Sequence, residues 1–212
     1  MSLVNHKKTQ KKTLAVIGID EAGRGPLAGP VVVGGVMIVI KNLSEESKIF
    51  KNIRDSKKLS AQKRTEWLIF IKNHSQVYHT KAVIYHKVID KINIYQATLL
   101  GAEKVYKKLF SEAQKYNPTK IITRIDGGLK LKNVDFQTII KGDEKIPTIA
   151  AASIVAKTTR DDIMIRLHKK YPQYGFDKHK GYATLFHRKA LIRFGLCQVH
   201  RRSFTFMRWC HE

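Results

Sequence analysis

The sequence predicts an α/β fold, a mixed β-sheet flanked by helices with a small helical addition at the C-terminal end. Three observations predict it. Two apolar, β-branched runs, Leu14 to Asp20 and Pro30 to Lys41, read as buried strands. Helix and strand patterns then alternate as far as Lys170. The last ~45 residues carry helix and loop patterns but no strand pattern. The 212 residues, 43% of them hydrophobic, suit one large domain with a real core. The expected organisation is a basic, disordered tail over residues 1–12, a main domain over 13–170 and a C-terminal addition over 171–212.

Asn42 to Lys51 is polar and reads as a loop with a helical turn. Ser60 is a good N-cap for a helix to about Asn73. Lys57 and Lys58 stand just before that cap. They suit an exposed charge run as well as a phosphate contact beside the helix N-terminus. Gln76 to His86 is a third strand. Asn93 can cap a long helix to Tyr116, whose Ile94, Thr98, Gly101, Ala102, Val105 and Leu109 share one face. Lys120 to Ile125 is a strand closed by Asp126-Gly127-Gly128, and Phe136 to Lys141 a short one closed by Gly142-Asp143.

Pro147 opens a helix from Thr148 to Lys170. Its first two turns are small or apolar on all sides, which lets a helix lie close to a sheet. Tyr171-Pro172 stops it. The loop Phe176 to Thr184 is dense in Lys, His and Tyr, and Ala183 to Phe194 is helical with Gly195 closing it.

Lys and Arg total 40 against 17 Asp and Glu, a formal charge of +23. That excess points to a polyanion, nucleic acid first and anionic membrane second. The longest apolar run, Val31 to Ile40, is far short of the roughly 20 residues a membrane span needs. Met1 to Lys12 lacks the apolar core of a secretory signal. Cys197 and Cys210 form neither a zinc motif nor a disulfide framework, so a reducing compartment is expected.

The chemistry concentrates at strand ends. Asp20-Glu21, Asp126 and Asp143 each close a strand, and such ends can converge on one rim of a sheet. Converging carboxylates repel unless cations hold them, and oxygen-only ligands suit Mg²⁺ or Mn²⁺ rather than Zn²⁺. Asp20 and Glu21 are adjacent, so they serve one site only if the chain turns at Glu21 or a backbone carbonyl takes part. Gly23-Arg24-Gly25 follows, where bare backbone can approach a ligand. Asp55, Asp161 and Asp162 are competing acids. Asp161 and Asp162 stand beside Arg160, which favours an ion pair. His179, His187 and His200 suit phosphate contact, surface or capping roles.

The ordered motifs resemble those of the ribonuclease HII family. They are Asp20-Glu21-Ala-Gly-Arg-Gly-Pro-Leu-Ala-Gly-Pro30, Asp55-Ser-Lys-Lys-Leu-Ser60 and Ile94-Tyr-Gln-Ala-Thr98. Then come Asp126-Gly127, Lys141-Gly-Asp143, Ala150 to Lys157, His179-Lys-Gly-Tyr-Ala-Thr184 and His200-Arg-Arg-Ser-Phe204. The likeness spans about residues 14–206. Ala183 departs from the Gly or Pro that relatives often carry.

The resemblance implies an RNase H-like catalytic domain with a C-terminal substrate-binding addition. It implies hydrolysis of RNA in RNA–DNA hybrids and nicking of duplex DNA 5′ to an embedded ribonucleotide, leaving 3′-OH and 5′-phosphate ends. By position, Asp20, Glu21, Asp126 and Asp143 would be the catalytic, metal-holding acids. Gly23, Arg24 and Gly25 would sense the 2′-OH, and Tyr182 would stack on its sugar. Two ions about 4 Å apart would clamp an in-line displacement. The expected form is a cytoplasmic monomer. A non-catalytic basic nucleic-acid-binding module would explain the charge but not the acids. A recombinase or resolvase of RNase H-like fold would need the acids but not the Gly-Arg-Gly loop.

Overall fold

The computed structural model describes residues 12–53, 59–131 and 134–204. The elements in order are β1 (Leu14–Ala22), β2 (Val31–Ile40), α1 (Ser44–Ile49), α2 (Ala61–Asn73), β3 (Val77–Ile84), α3 (His86–Gln114), β4 (Lys120–Asp126), β5 (Gln137–Ile139), α4 (Gly142–Lys145), α5 (Pro147–Lys170), α6 (Phe176–His179) and α7 (Leu185–Phe194). The strands form one mixed sheet in the order β3-β2-β1-β4-β5. β1 pairs antiparallel with β2 and parallel with β4, so it lies at the centre.

Strand alternation sorts β1 between two layers. Ala15, Ile17 and Ile19 join Val33 and Met37 against Leu99, Ala102, Val105 and Leu109 of α3. Val16 joins Val36, Ile38 and Ile40 against Phe50, Ile71 and the Ala150-Ala151-Ala152 stretch of α5. The small residues predicted to bring α5 close do so on both sides of the contact. A Cβ on Gly18 would collide with the Thr148 backbone, and one on Gly34 with the carbonyl of Ala152.

Several elements differ from the sequence reading. β1 runs on through Ala22, with Glu21 paired to Val33, so the chain does not turn at Glu21. The ladder with β2 carries both acids, and the turn waits for Gly23 at φ +96°. Asn93 does cap a helix, its Oδ1 accepting from Gln96 N at 3.0 Å. A further helical stretch precedes it from His86, and Asn93 at φ 63° marks the kink between the two. β5 is only three residues long, and Asp143 lies in the first turn of α4 rather than at a strand end. The loop from Phe176 contains the one-turn helix α6.

Glu46, in the stretch read as a polar loop, is buried and ties three elements together. Its carboxylate accepts from Arg124 Nη1 of β4 at 2.8 Å, and from Thr148 N at 3.1 Å and Thr148 Oγ1 at 2.7 Å at the start of α5. A carboxylate at a helix N-terminus meets free N–H groups and the positive end of the dipole. Residues beyond Lys170 fold back on the main domain, where Tyr174, Phe176, Ala190 and Leu191 cluster with Ala28 and Met164.

Candidate active site

β1 and β4 run parallel as neighbours, so Asp20 and Asp126 end up on one rim of the sheet. Asp20 is buried, 2% exposed, and its Oδ1 accepts from the Glu21 N–H at 2.7 Å. Burial pushes its carboxyl well above the usual carboxylate range. Glu21 and then Asp126 add to the effect, while a Ser153 hydroxyl contact opposes it. Asp126 Oδ1 accepts from Gly142 N at 2.7 Å, which brings the fully buried Asp143 to the same rim. Glu21 Oε1 lies 3.3 Å from Arg24 Nη1.

The sequence-predicted acids are therefore gathered, across 123 positions of chain from Asp20 to Asp143. They are not closed into a cage. Among the described residues, no three His, Cys, Asp or Glu form a group that could hold an ion as placed. The donor set is nonetheless all oxygen, and a carboxylate pushed toward its neutral form by burial, and further by two neighbouring acids, is what a divalent cation would relieve. These residues fit Mg²⁺ or Mn²⁺.

In front of Glu21 lies a cavity of ≈ 320 Å³, with Gly23, Arg24, Gly25 and Tyr182 along its wall and Arg64, Lys157 and Arg160 among its basic groups. Arg24 and Gly25 are exposed, and Tyr182 is 46% exposed, so it is not a core aromatic. The two glycines differ. A Cβ on Gly23 would run into Arg160, whereas one on Gly25 would lie 3.7 Å from the Tyr182 ring, an ordinary contact. Lys57, Lys58 and Asp55 lie outside the described residues, as does Cys210.

The sequence reading missed the arginines. Arg160 does not pair with Asp161 or Asp162. Its Nε donates to Pro30 O at 3.0 Å, and its Nη2 to Ala28 O at 3.3 Å and Lys180 O at 2.9 Å. Asp161 pairs instead with Lys157 at 2.9 Å and Arg64 at 3.9 Å. Arg201, in the basic run His200-Arg201-Arg202, is 2% exposed. Burial, and then Arg160, push its guanidinium down to about 9, which still leaves it charged at neutral pH. No spacing pattern announces either role, because their partners are backbone carbonyls.

His187 and His200 are likewise buried rather than phosphate-facing, and His179 is partly buried with its Nε2 2.6 Å from the Tyr174 carbonyl. Cys197 N donates to His200 Nδ1 at 3.0 Å, His200 Nε2 lies 3.0 Å from His187 Nε2, and His187 Nδ1 lies 2.9 Å from the Tyr182 carbonyl. One proton pattern satisfies the chain, with His200 donating to His187 and His187 donating to Tyr182 O. Burial pushes both imidazoles down to about 4, so both are neutral.

Comparison with known proteins gives the family. The model of the Ribonuclease HII family matches residues 17–211. The chain belongs to the ribonuclease HII family. Ribonuclease HII of Chlamydia abortus is 44% identical over 191 residues, covering 90% of this chain and 84% of that protein. Ribonuclease HII of Francisella tularensis subsp. novicida is 42% identical over 193 residues, covering 90% and 96%. Among solved structures, the RNase HII of the PCNA:RNase HII complex from Archaeoglobus fulgidus superposes with a TM-score of 0.68 at 26% identity, covering 92% of this chain and 93% of that one. Bst-RNase HIII in complex with Mn²⁺ shares the fold at a TM-score of 0.72 and 20% identity, over 95% and 70%. Membership makes the chain an endonuclease of the hydrolase class with RNase H activity, whose substrates are RNA–DNA hybrids. The mixed sheet flanked by helices is the expected RNase H-like fold. Among the described residues no helix is long and apolar enough to cross a membrane.

Proposed function

We propose that this chain also nicks duplex DNA 5′ to a single embedded ribonucleotide, leaving 3′-OH and 5′-phosphate ends. The observation that carries the reading is the placement of the exposed Arg24-Gly25 backbone and Tyr182 around one cavity whose wall also includes Glu21, the neighbour of Asp20 in β1.

In this reading Asp20, Glu21, Asp126 and Asp143 hold divalent cations. When bound, Mg²⁺ or Mn²⁺ supplies Lewis acidity for an in-line two-metal displacement at phosphorus. The chain's own residues do the positioning. The loop backbone meets the 2′-OH, the one sugar group that separates RNA from DNA. The face of Tyr182 supports the sugar and sets the height of the scissile phosphate. Arg24, Arg64 and Lys157 attract the phosphate backbone, with Lys57 and Lys58 as further candidates. Arg24 Nη1 lies 3.3 Å from Glu21 Oε1, which keeps the guanidinium at the cavity wall beside the acids.

The test is a duplex carrying one ribonucleotide, incubated with the protein and Mg²⁺ or Mn²⁺, with the nick mapped to the nucleotide. A single cut on the 5′ side is expected. Uncut duplex alongside a degraded hybrid would refute the reading.

A further inference from the structure

Arg201 donates from all three of its guanidinium nitrogens to the loop after β1. Nε reaches Gly29 O at 3.0 Å, Nη1 reaches Arg24 O at 2.9 Å, and Nη2 reaches Gly23 O at 2.6 Å. Arg160 holds the carbonyls of Ala28, Pro30 and Lys180. Six carbonyls, five of them in the loop after β1 and two of those, Gly23 and Arg24, at the cavity wall, are thus held by two buried cations. Among the described residues neither cation has an ion-pair partner. Burying two like charges side by side is costly, and the carbonyl bonds are what offset it.

The arrangement has a directional consequence. In a planar trans peptide the C=O and the following N–H point in opposite directions. Holding Gly23 O and Arg24 O toward Arg201 therefore turns the N–H groups of Arg24 and Gly25 away from it. Gly23 permits the required φ of +96° and the close approach of Arg160. We infer that Arg201 is a positioning residue for ribose selection, aiming the Arg24 and Gly25 N–H groups outward as paired donors for a ribose 2′-oxygen. The inference rests on the proposed 2′-OH reading. It also gives the C-terminal addition a task, since residue 201 sets the geometry of a loop near residue 24. Lysine cannot substitute, because its single ammonium does not span three carbonyls as a planar fork does.

The test uses the full chain and two substrates, a duplex with one ribonucleotide and a long RNA–DNA hybrid. The readout is the ratio of kcat/KM on the first to kcat/KM on the second. Partial unfolding lowers both values equally and leaves the ratio alone. Arg201→Lys should lower the ratio at least tenfold, with the metal concentration for half-maximal rate unchanged. Gly25→Ala, which adds a methyl at the cavity wall away from Arg201, separates the two ideas. If Gly25→Ala lowers the ratio and a folded Arg201→Lys does not, the positioning role is wrong and ribose reading stands. If neither variant moves it, ribose reading fails and takes the inference with it. Should Arg201→Lys not fold, NMR of the parent protein decides. The Arg24 and Gly25 amide signals should shift more with the ribonucleotide duplex than with the all-DNA duplex of the same sequence. Equal shifts would overturn the inference.

Discussion

The backbone N–H of Gly142 donates to Asp126 Oδ1 over 2.7 Å, and this bond joins the end of β4 to the turn that carries Asp143. The two acids thus behave as one rim. Asp126→Asn and Asp143→Asn should each cut cleavage by 100-fold or more at low Mg²⁺. An amide oxygen at 126 still accepts from Gly142, so Asp126→Asn should keep its melting temperature. Near-normal turnover of Asp143→Asn would remove Asp143 from the metal-holding set.

Tyr182 projects from the loop between α6 and α7 and is about half exposed. Tyr182→Ala should therefore change stability by no more than about 1 kcal/mol. It should cripple nicking at a lone ribonucleotide and hurt hybrid cleavage less. Gly23→Val should damage both activities, because its side chain would meet Arg160. Equal loss on both substrates from Tyr182→Ala, with a lowered melting temperature, would make the ring structural.

Glu46→Ala would leave the largely covered Arg124 without the buried carboxylate it pairs with and the N-terminus of α5 uncapped. Breaking a buried pair from one side costs about 3 kcal/mol or more. Urea unfolding of the variant should show that loss in midpoint with little change in slope. A loss under about 1 kcal/mol would mean that the pair is open to water.

Stability should fall on the acid side through His187 and His200. Unfolded imidazoles titrate near 6.5, and in the fold both are pushed down to about 4. Between those values the unfolded chain binds protons that the folded chain refuses. Their contribution is therefore full above pH 6.5 and is lost as pH falls toward 4, by at most about 1.4 kcal/mol per pH unit for each imidazole. Protonation would also set two N–H groups against each other across the 3.0 Å contact. His187→Asn should flatten the dependence between pH 7 and 5. An unchanged slope in that variant would show that water reaches the pair.

Lys57 and Lys58 remain candidates from sequence, ahead of the Ser60 cap that accepts from Lys63 N at 3.2 Å. Replacing both with Ala should reduce the slope of log affinity against log salt by about two. An unchanged slope would leave them as a solvated charge run.

Local patterns fixed in the chain determined much of this protein. Continuous apolar, β-branched runs placed β1 and β2, and Ser60 placed the start of α2, because strand preference and helix capping are properties of neighbouring residues. The family motifs marked the acids, the Gly-Arg-Gly loop and Tyr182. The tertiary structure alone decided how distant residues meet. It extended β1 past Glu21, since pairing with Val33 satisfies backbone groups that a turn would have left open. It moved Asp143 into a helical turn, set Glu46 against Arg124 and Thr148, and buried Arg160 and Arg201 against carbonyls. Side chains that bond to backbone have partners without sequence identity, so no pattern along the chain reveals them. In the sequence Arg201 is one of two arginines in a basic run, because only the folded chain brings the carbonyls of Gly23, Arg24 and Gly29 within reach of its guanidinium.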